Sequence, residues 1–298
     1  MSTAETSFEK HFLVKTTDQT AISFLSKELP KISKQKLKQT MRYGAVWITK
    51  SGKTNRIRRA KKPLNIGDEL HLYYDEEILF GDVEPAKLIA DEIEYSVWDK
   101  PCGMFSQGTK WGDHNSITRW VELFGLEENK IPQRPCFLVH RLDRATSGLI
   151  LVAHSKKVAS KLARLFENRQ IEKRYTAIVN GCYPAEDKFQ KLDSDIDGKS
   201  ATSIILSSEY DLEKNQTSLL IKIESGRKHQ IRKHLSGVGF PIIGDRLYGG
   251  IDDEDSLRPD LMLRSCFLEF VCPISGELKG YLAPLLGGAT RTRLNVKT

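Results

Sequence analysis

No window of this sequence approaches the roughly 18 consecutive apolar residues that a membrane helix needs. The longest purely apolar runs, such as Leu149–Ala153, are only strand length. The first twenty residues carry Glu5, Glu9, Lys10, Lys15 and Asp18 with no apolar centre, so no secretory signal is expected. Cysteine is sparse. Cys102, Cys136, Cys182, Cys266 and Cys272 are odd in number, widely spaced and contain no C-x-x-C pair, which argues against a disulfide framework or a structural zinc site. There is no G-x-G-x-x-G fingerprint, Walker loop, H-E-x-x-H or G-x-S-x-G elbow. His140 and His229 stand far apart in sequence, and no Cys or His cluster has metal-ligand spacing. Internal repeats and low-complexity tracts are also missing. These absences lead to the expectation of a soluble, cytoplasmic protein that works without nucleotide cofactor or metal.

What is present is 298 residues of ordinary globular composition, 39% hydrophobic and 29% charged, about twice a common domain length. The charge is unevenly placed. From Lys27 to Lys62 there are thirteen Lys or Arg against the single acid Glu28, a net +12, so the other residues sum to −5 to give the overall +7. Such a concentrated basic surface is the footprint of a polyanion partner, because each neutralised phosphate releases condensed counterions. A solvated lysine-rich face or a membrane-surface patch are the alternatives. Lipid would prefer a clear apolar face opposite the charges, which favours nucleic acid. Beyond Asp75 the sign reverses through Glu76, Glu77, Asp82, Glu84, Asp91, Glu92 and Glu94. The expected organisation is a basic module over 1–75 with its core at about 20–75, an acidic linker over 76–90, and a second domain over 91–298.

Ser33 is placed to cap a helix beginning at Lys34, with Leu37 and Met41 on one face and Gly44 at its end. A β-branched strand at 45–49, the turn Ser51-Gly52, and a strand at 70–74 follow. This order, with "GAVWITKSGKTNR" and "PLNIGDEL", resembles the small RNA-binding module named after the fourth ribosomal small-subunit protein. The resemblance implies RNA contacts from helix residues Lys34, Lys38 and Arg42 and from Lys53, Arg56, Arg58 and Arg59 beyond them. Thr20-Ala21-Ile22-Ser23 stands where that module's first helix usually starts with charge.

After residue 91, short apolar strands outnumber amphipathic helices, which predicts an α+β domain on a largely antiparallel mixed sheet. Strands are expected at 95–98, 149–153, 175–179, 203–206, 218–223 and 266–271, and a helix capped by Ser155 is expected to run to about Gln170. Between two apolar runs lies His140-Arg141-Leu142-Asp143-Arg144-Ala145-Thr146-Ser147-Gly148. A carboxylate beside Arg141 and Arg144 would stay ionised and be ready to act as nucleophile or base. On the residues alone, Tyr175 reads equally as a sheet-packing aromatic. Arg232, with His229 and Lys233, reads equally as the polar face of a helix whose Ile231 and Leu235 face the core.

"HRLDRATSGLILVA" resembles the signature of the RluA-type pseudouridine synthases. "WDKPCGMFSQGT", "KRYTAIVNG" and "GRKHQIRKHLSGVGFPIIGDRLYG" resemble three further family blocks in the family's order. The resemblance implies an isomerase that breaks the N-glycosidic bond of a uridine in RNA, turns the base and rejoins it through carbon. It implies catalytic Asp143, Tyr175 and Arg232, with Arg232 pairing to Asp143 and Tyr175 packed against the base with its hydroxyl available for proton transfer, and RNA contacts from Arg141 and Leu263. It implies no cofactor, and a monomer is expected. Ribosomal RNA is favoured as substrate, with transfer RNA second. Ala145, Lys228, Arg264-Ser265 and Cys272 depart from the usual pattern. A non-catalytic RNA-binding or ribosome-assembly protein of the same fold is the alternative. A glycosidase-like hydrolase ranks last, since that chemistry normally needs two carboxylates.

Overall fold

A computed structural model of the chain describes residues 7–184, 190–249 and 259–286. It divides into two units, Met1–Val83 with Gln107–Trp120, and Glu84–Ser106 with Val121–Thr298. The division falls inside the expected acidic linker. However, residues 107–120, expected in the second domain, belong with the first unit.

In the first unit, strand β1 (Ser7–Leu13) leads to helices α1 (Ala21–Glu28) and α2 (Lys34–Arg42). Thr20 and Ser23 form a reciprocal capping box on α1, and the Ser33 hydroxyl accepts the Lys36 N–H (3.2 Å) to start α2. Gly44, at φ +82°, ends α2 in a conformation that an L side chain rarely adopts. Strands β2 (Val46–Lys50) and β3 (Lys53–Arg56) form a hairpin around Ser51-Gly52, and β4 (Glu69–Asp75) completes an antiparallel sheet in the order β1-β4-β2-β3. Leu25, Leu37, Met41, Val46, Leu70 and Leu72 form its core. The residues expected to be linker are largely ordered. Asp75 caps helix α3 (Glu76–Phe80), whose first-turn acids suit the positive end of a helix dipole, and β5 (Lys87–Asp91) follows. The acidic run is therefore partly helix-start chemistry rather than linker composition.

The second unit is built on a ten-stranded sheet among the described residues. Its strands are β5, β6 (Tyr95–Lys100), β7 (Phe137–Leu138), β8 (Ser147–Ala153), β9 (Glu172–Asn180), β10 (Gln190–Leu192), β11 (Ser203–Asp211), β12 (Gln216–Ile223), β13 (Leu263–Val271) and β14 (Leu278–Leu282). The main path runs β10-β11-β12-β9-β13-β8-β6-β5, with β14 beside β13 and β7 beside β8. In sequence, β6 and β7 are separated by the short helix α4 (Ile117–Trp120), which belongs to the first unit, then a π-helical stretch (Val121–Gly125) and the short helix α5 (Leu126–Glu128). Helix α6 (Lys156–Glu167), capped by Ser155, packs Val158 and Leu162 into a core with Leu149, Leu151 and Leu268. Helix α7 (Gln230–Gly237) follows β12. No helix among the described residues is long and apolar enough to cross a membrane.

Among the described residues, all strand pairings are antiparallel except β13 with β8, where Arg264 and Ser265 lie beside Ser147 and Gly148. Gly148 makes that junction possible. It sits at φ +108°, and a Cβ there would fall 2.1 Å from the Ser265 carbonyl oxygen. Gly148→Ala is therefore expected to lower stability by about 3 kcal/mol or more, since backbone strain and a clash against backbone add. Urea titration of the variant beside the wild type measures the loss.

Candidate active site

Asp143 lies in the loop between β7 and β8, and the chain grips this loop from both sides. The Leu142 N–H donates to the Ser106 hydroxyl (2.9 Å), which in turn donates to the Leu142 carbonyl (2.6 Å). On the other flank, the Arg144 carbonyl accepts from the Gly103 N–H (2.9 Å) and from Lys100 Nζ (3.3 Å). Lys100 also donates to the carbonyls of Pro101 (3.0 Å) and Met104 (2.9 Å), so three acceptors meet the three protons of an ammonium. Its full burial pushes its pKa down to about 7, against the opposing pull of Cys102 and Asp143. His140 is part of the same support. Its Nε2 accepts the Leu151 N–H (3.0 Å), its ring stacks on Phe166, and burial pushes its pKa down to about 3. The motif histidine thus braces β8 as a neutral imidazole.

The Asp143 carboxylate meets Arg232 of α7 and His229 just before it rather than the expected Arg141 and Arg144. Arg232 Nη1 is 3.8 Å from one oxygen and His229 Nε2 is 3.7 Å from the other. Arg141 is exposed, and Arg144 lies over the Phe105 ring (4.9 Å) with its Nε on the Gly103 carbonyl. The tight partner of Arg232 is not Asp143 but Asp245, through two bonds of 2.8 and 2.6 Å. The physical reason is burial: the Arg232 and Asp245 side chains are 6% and 0% exposed, whereas Asp143 is 29% exposed. A buried guanidinium needs a buried counter-charge at bonding distance. Burial alone would raise the Asp245 pKa. The Arg232 bonds and the N–H groups of Leu247 (3.0 Å) and Tyr248 (3.1 Å) outweigh it and hold the carboxyl below the ordinary aspartate value.

Tyr175 sits in the middle of β9, buried, opposite Ser265 of β13. Burial pushes its phenol far above the ordinary value, and the negative charge of Asp143 acts in the same direction. Its hydroxyl therefore stays protonated at any working pH. Leu263, also buried, lies two residues from Ser265 on β13, opposite Ala177 of β9. Arg264, where the family pattern usually has His, binds Asp99 and the Ser147 hydroxyl and so reinforces the β8–β13 junction.

His229, Asp245 and Tyr248 join this cluster without having been singled out from sequence. Asp245 carried a usable signal, the G-D-x-x-Y-G block, but nothing local indicates that its partner is Arg232. In the first unit, Lys34, Lys38 and Arg42 on α2, with Lys53 and Arg59, are exposed as expected. Arg56 and Arg58 are not on a solvated loop. Both bind the Asp113 carboxylate, Arg56 also stacks over Trp47 (4.4 Å), and Arg58 donates to the Arg42 carbonyl. They anchor residues 107–120, a long-range partner that no local pattern discloses.

Residues 94–237 match the family model described as RNA pseudouridylate synthase, a span containing Asp143, Tyr175, His229 and Arg232. The "Ribosomal large subunit pseudouridine synthase D" of Borreliella burgdorferi is 32% identical over 247 residues, covering 74% of this chain and 72% of that protein. This chain belongs to the RNA pseudouridylate synthase family. It is an isomerase of the RluA type, and its substrate class is RNA. The "tRNA pseudouridine synthase C" of Yersinia pestis is 32% identical over 207 residues, covering 60% of this chain and 78% of that protein. The fold is shared with the solved "Human RNA Pseudouridylate Synthase Domain Containing 1", with TM-score 0.56 and 21% identity over 68% of this chain and 85% of that one. The mixed, mostly antiparallel sheet is thus the pseudouridine synthase fold.

Removing the Asp245 carboxylate should strand the Arg232 charge in the interior. Asp245→Ala is expected to lose about 3–5 kcal/mol of stability, measured by denaturant titration. The pH sign follows from the depressed carboxyl: its contribution is fully present above the unfolded value of 3.8 and is lost as pH falls through the lower folded value.

Proposed function

We propose that this pseudouridine synthase modifies large-subunit ribosomal RNA and that Asp143 opens the glycosidic bond of the target uridine. The observation that carries the assignment of Asp143 is its accessibility: its carboxylate is 29% exposed, while the Asp245 carboxylate beside Arg232 is closed to solvent. One carboxylate is open to a substrate, and the second is spent on an internal cation. That division also leaves little room for a hydrolase needing two working carboxylates.

In this reading the target uridine leaves its stack to enter the site, and Arg141, exposed next to the loop's catalytic residue, occupies the gap or holds the flipped base. Asp143 acts as nucleophile or as base at the ribose 2′ carbon. Arg232, fixed by Asp245, sits beside the Asp143 carboxylate and aims it. Tyr175 packs against the base as a neutral phenol, and Leu263 belongs to the pocket wall. The protein works as a monomer.

Ribosomal RNA is supported by the name of the Borreliella relative and by the basic first unit, which offers more contact surface than a small hairpin loop requires. The first unit is read as an RNA-docking module like that of the fourth ribosomal small-subunit protein, with Lys34, Lys38, Arg42, Lys53 and Arg59 on phosphates. Arg56 and Arg58 hold the module together instead. Transfer RNA is the second reading, favoured by the Yersinia relative. Mapping pseudouridines in total RNA with and without the gene decides between them. A missing site in large-subunit RNA supports the proposal, and one confined to transfer RNA overturns it.

Asp143→Asn is expected to fold normally and to abolish tritium release from 5-tritiated uridine in RNA, because an amide is neither nucleophile nor base. Appreciable turnover by the pure variant would remove Asp143 from its role. Neutralising Lys34, Lys38, Arg42 and Arg59 together should raise KM with kcat nearly kept, and should reduce the slope of log affinity against log salt by up to about four for duplex-like RNA. An unchanged slope would deny the module its docking role.

A further inference from the structure

His229 is built into the site in a way that neither a core histidine nor a solvated one requires. It occupies the position before α7 in a left-handed conformation, φ 57° and ψ 28°, a costly choice for a residue with a side chain. Residues at helix starts usually spend their side chain on capping the free backbone N–H groups, and His229 makes no such bond. Its ring is directed elsewhere. Nδ1 is 2.9 Å from the Tyr248 hydroxyl, the two rings meet edge to face at 5.6 Å, and Nε2 faces Asp143 at 3.7 Å. Tyr248 is itself held through its backbone N–H by Asp245 and lies under the Arg232 guanidinium (5.1 Å). The strain thus purchases one thing: an imidazole held at one nitrogen and presented at the other, beside the reactive carboxylate.

We infer that His229 is the base that removes the C5 proton of the rejoined uracil. The inference rests on the proposed reaction, in which Tyr175, the other group against the base, is a protonated phenol and not a proton acceptor. Once C5 has bonded to the ribose C1′, that carbon carries both the sugar and its original hydrogen. The C5–H bond then breaks and its proton passes to His229 Nε2. The bonding pair forms the C5=C6 double bond, the former C6=N1 pair moves to N1, and N1 takes a proton from water. One proton leaves and one enters, so no oxidant or second substrate is needed. Asp143, 3.7 Å away, is placed to balance the imidazolium while it lasts.

The groups facing the ring agree with this role. From the β7–β8 loop comes Asp143. From the start of α7 come Lys228 and Arg232, and from the turn after it Asp245 and Tyr248. Burial, with the two cations, pushes the imidazole below its ordinary 6.5 against the pull of Asp143 and Asp245. His229 is therefore neutral and able to accept a proton at pH 7. The role requires the tautomer in which Nδ1–H donates to the Tyr248 hydroxyl, which leaves the lone pair on Nε2, the atom turned toward the site.

The test uses the full chain on unmodified large-subunit ribosomal RNA transcribed with either ordinary or 5-deuterated uridine. His229→Gln keeps a polar group of similar reach that cannot take a proton. It is expected to lower kcat about 100-fold, the usual scale for deleting a general base, with RNA affinity unchanged. Its turnover should become slower with 5-deuterated RNA by a factor larger than in the wild type, because proton removal has become limiting. The acid limb of the wild-type pH–rate profile, lying below pH 6.5, should disappear in the variant. Tyr248→Phe, which keeps the imidazole but frees its orientation, should show the same isotope signature with a smaller fall in kcat. A fall in kcat without a larger isotope effect in both variants would make His229 a merely structural residue and overturn the inference alone. Unchanged kcat in His229→Gln would do the same. Failure of the wild type to release tritium from 5-tritiated uridine would instead overturn the proposed reaction.

Discussion

The ion pair between Arg232 and Asp245 is the constraint on which the catalytic unit's chemistry depends. A guanidinium with a 6% exposed side chain cannot sit in the interior unpaired, because stripping its hydration without a partner costs several kcal/mol. Asp245 provides two parallel bonds to it and uses the same carboxylate to collect the N–H groups of Leu247 and Tyr248. Tyr248 then orients His229. One buried carboxylate thereby fixes both side chains that face Asp143, the Arg232 guanidinium and the His229 imidazole, and a shift in it would move both. In the proposed function, the partly exposed Asp143 is left free for substrate because Asp245 has taken up the buried charge.

The second requirement is positional accuracy, since a displacement of an ångström at a reacting atom can cost orders of magnitude in rate. Backbone bonds and buried polar groups meet it on each flank of Asp143: Ser106 on Leu142, and Lys100 with Gly103 on Arg144. The loop is short, and Gly148 locks its far end under β13 at the sheet's only parallel pairing among the described residues. The loop is thus tied to its surroundings on both sides of Asp143. The residues responsible are spread over positions 100–106, 142–148 and 264–265.

The first unit shows how far net charge can be taken. The +12 over 27–62 is a real property of the sequence, yet two of its arginines share the single carboxylate of Asp113, which lies outside that segment. Charge totals describe solvation and long-range attraction. They do not say which cations face outward. The exposed Lys34, Lys38 and Arg42 differ from Arg56 and Arg58 only in what the fold brings beside them.

Much of this protein was legible in one dimension. Ser33 and Ser155 as helix caps, Gly44 as a helix end, the strand periodicity of 95–98 and 149–153, and the four motif blocks rest on interactions within a few residues of each other, so their pattern survives in the linear chain. The family's reaction and its RNA substrate class were readable through the resemblance that those motif blocks carry. The partners of the charged side chains were not. That Arg232 closes on Asp245, that Arg56 and Arg58 close on Asp113, and that His229 turns toward Asp143 were decided only when distant segments met. Ion pairs and site geometry depend on distance and burial, and neither quantity exists until the chain has folded.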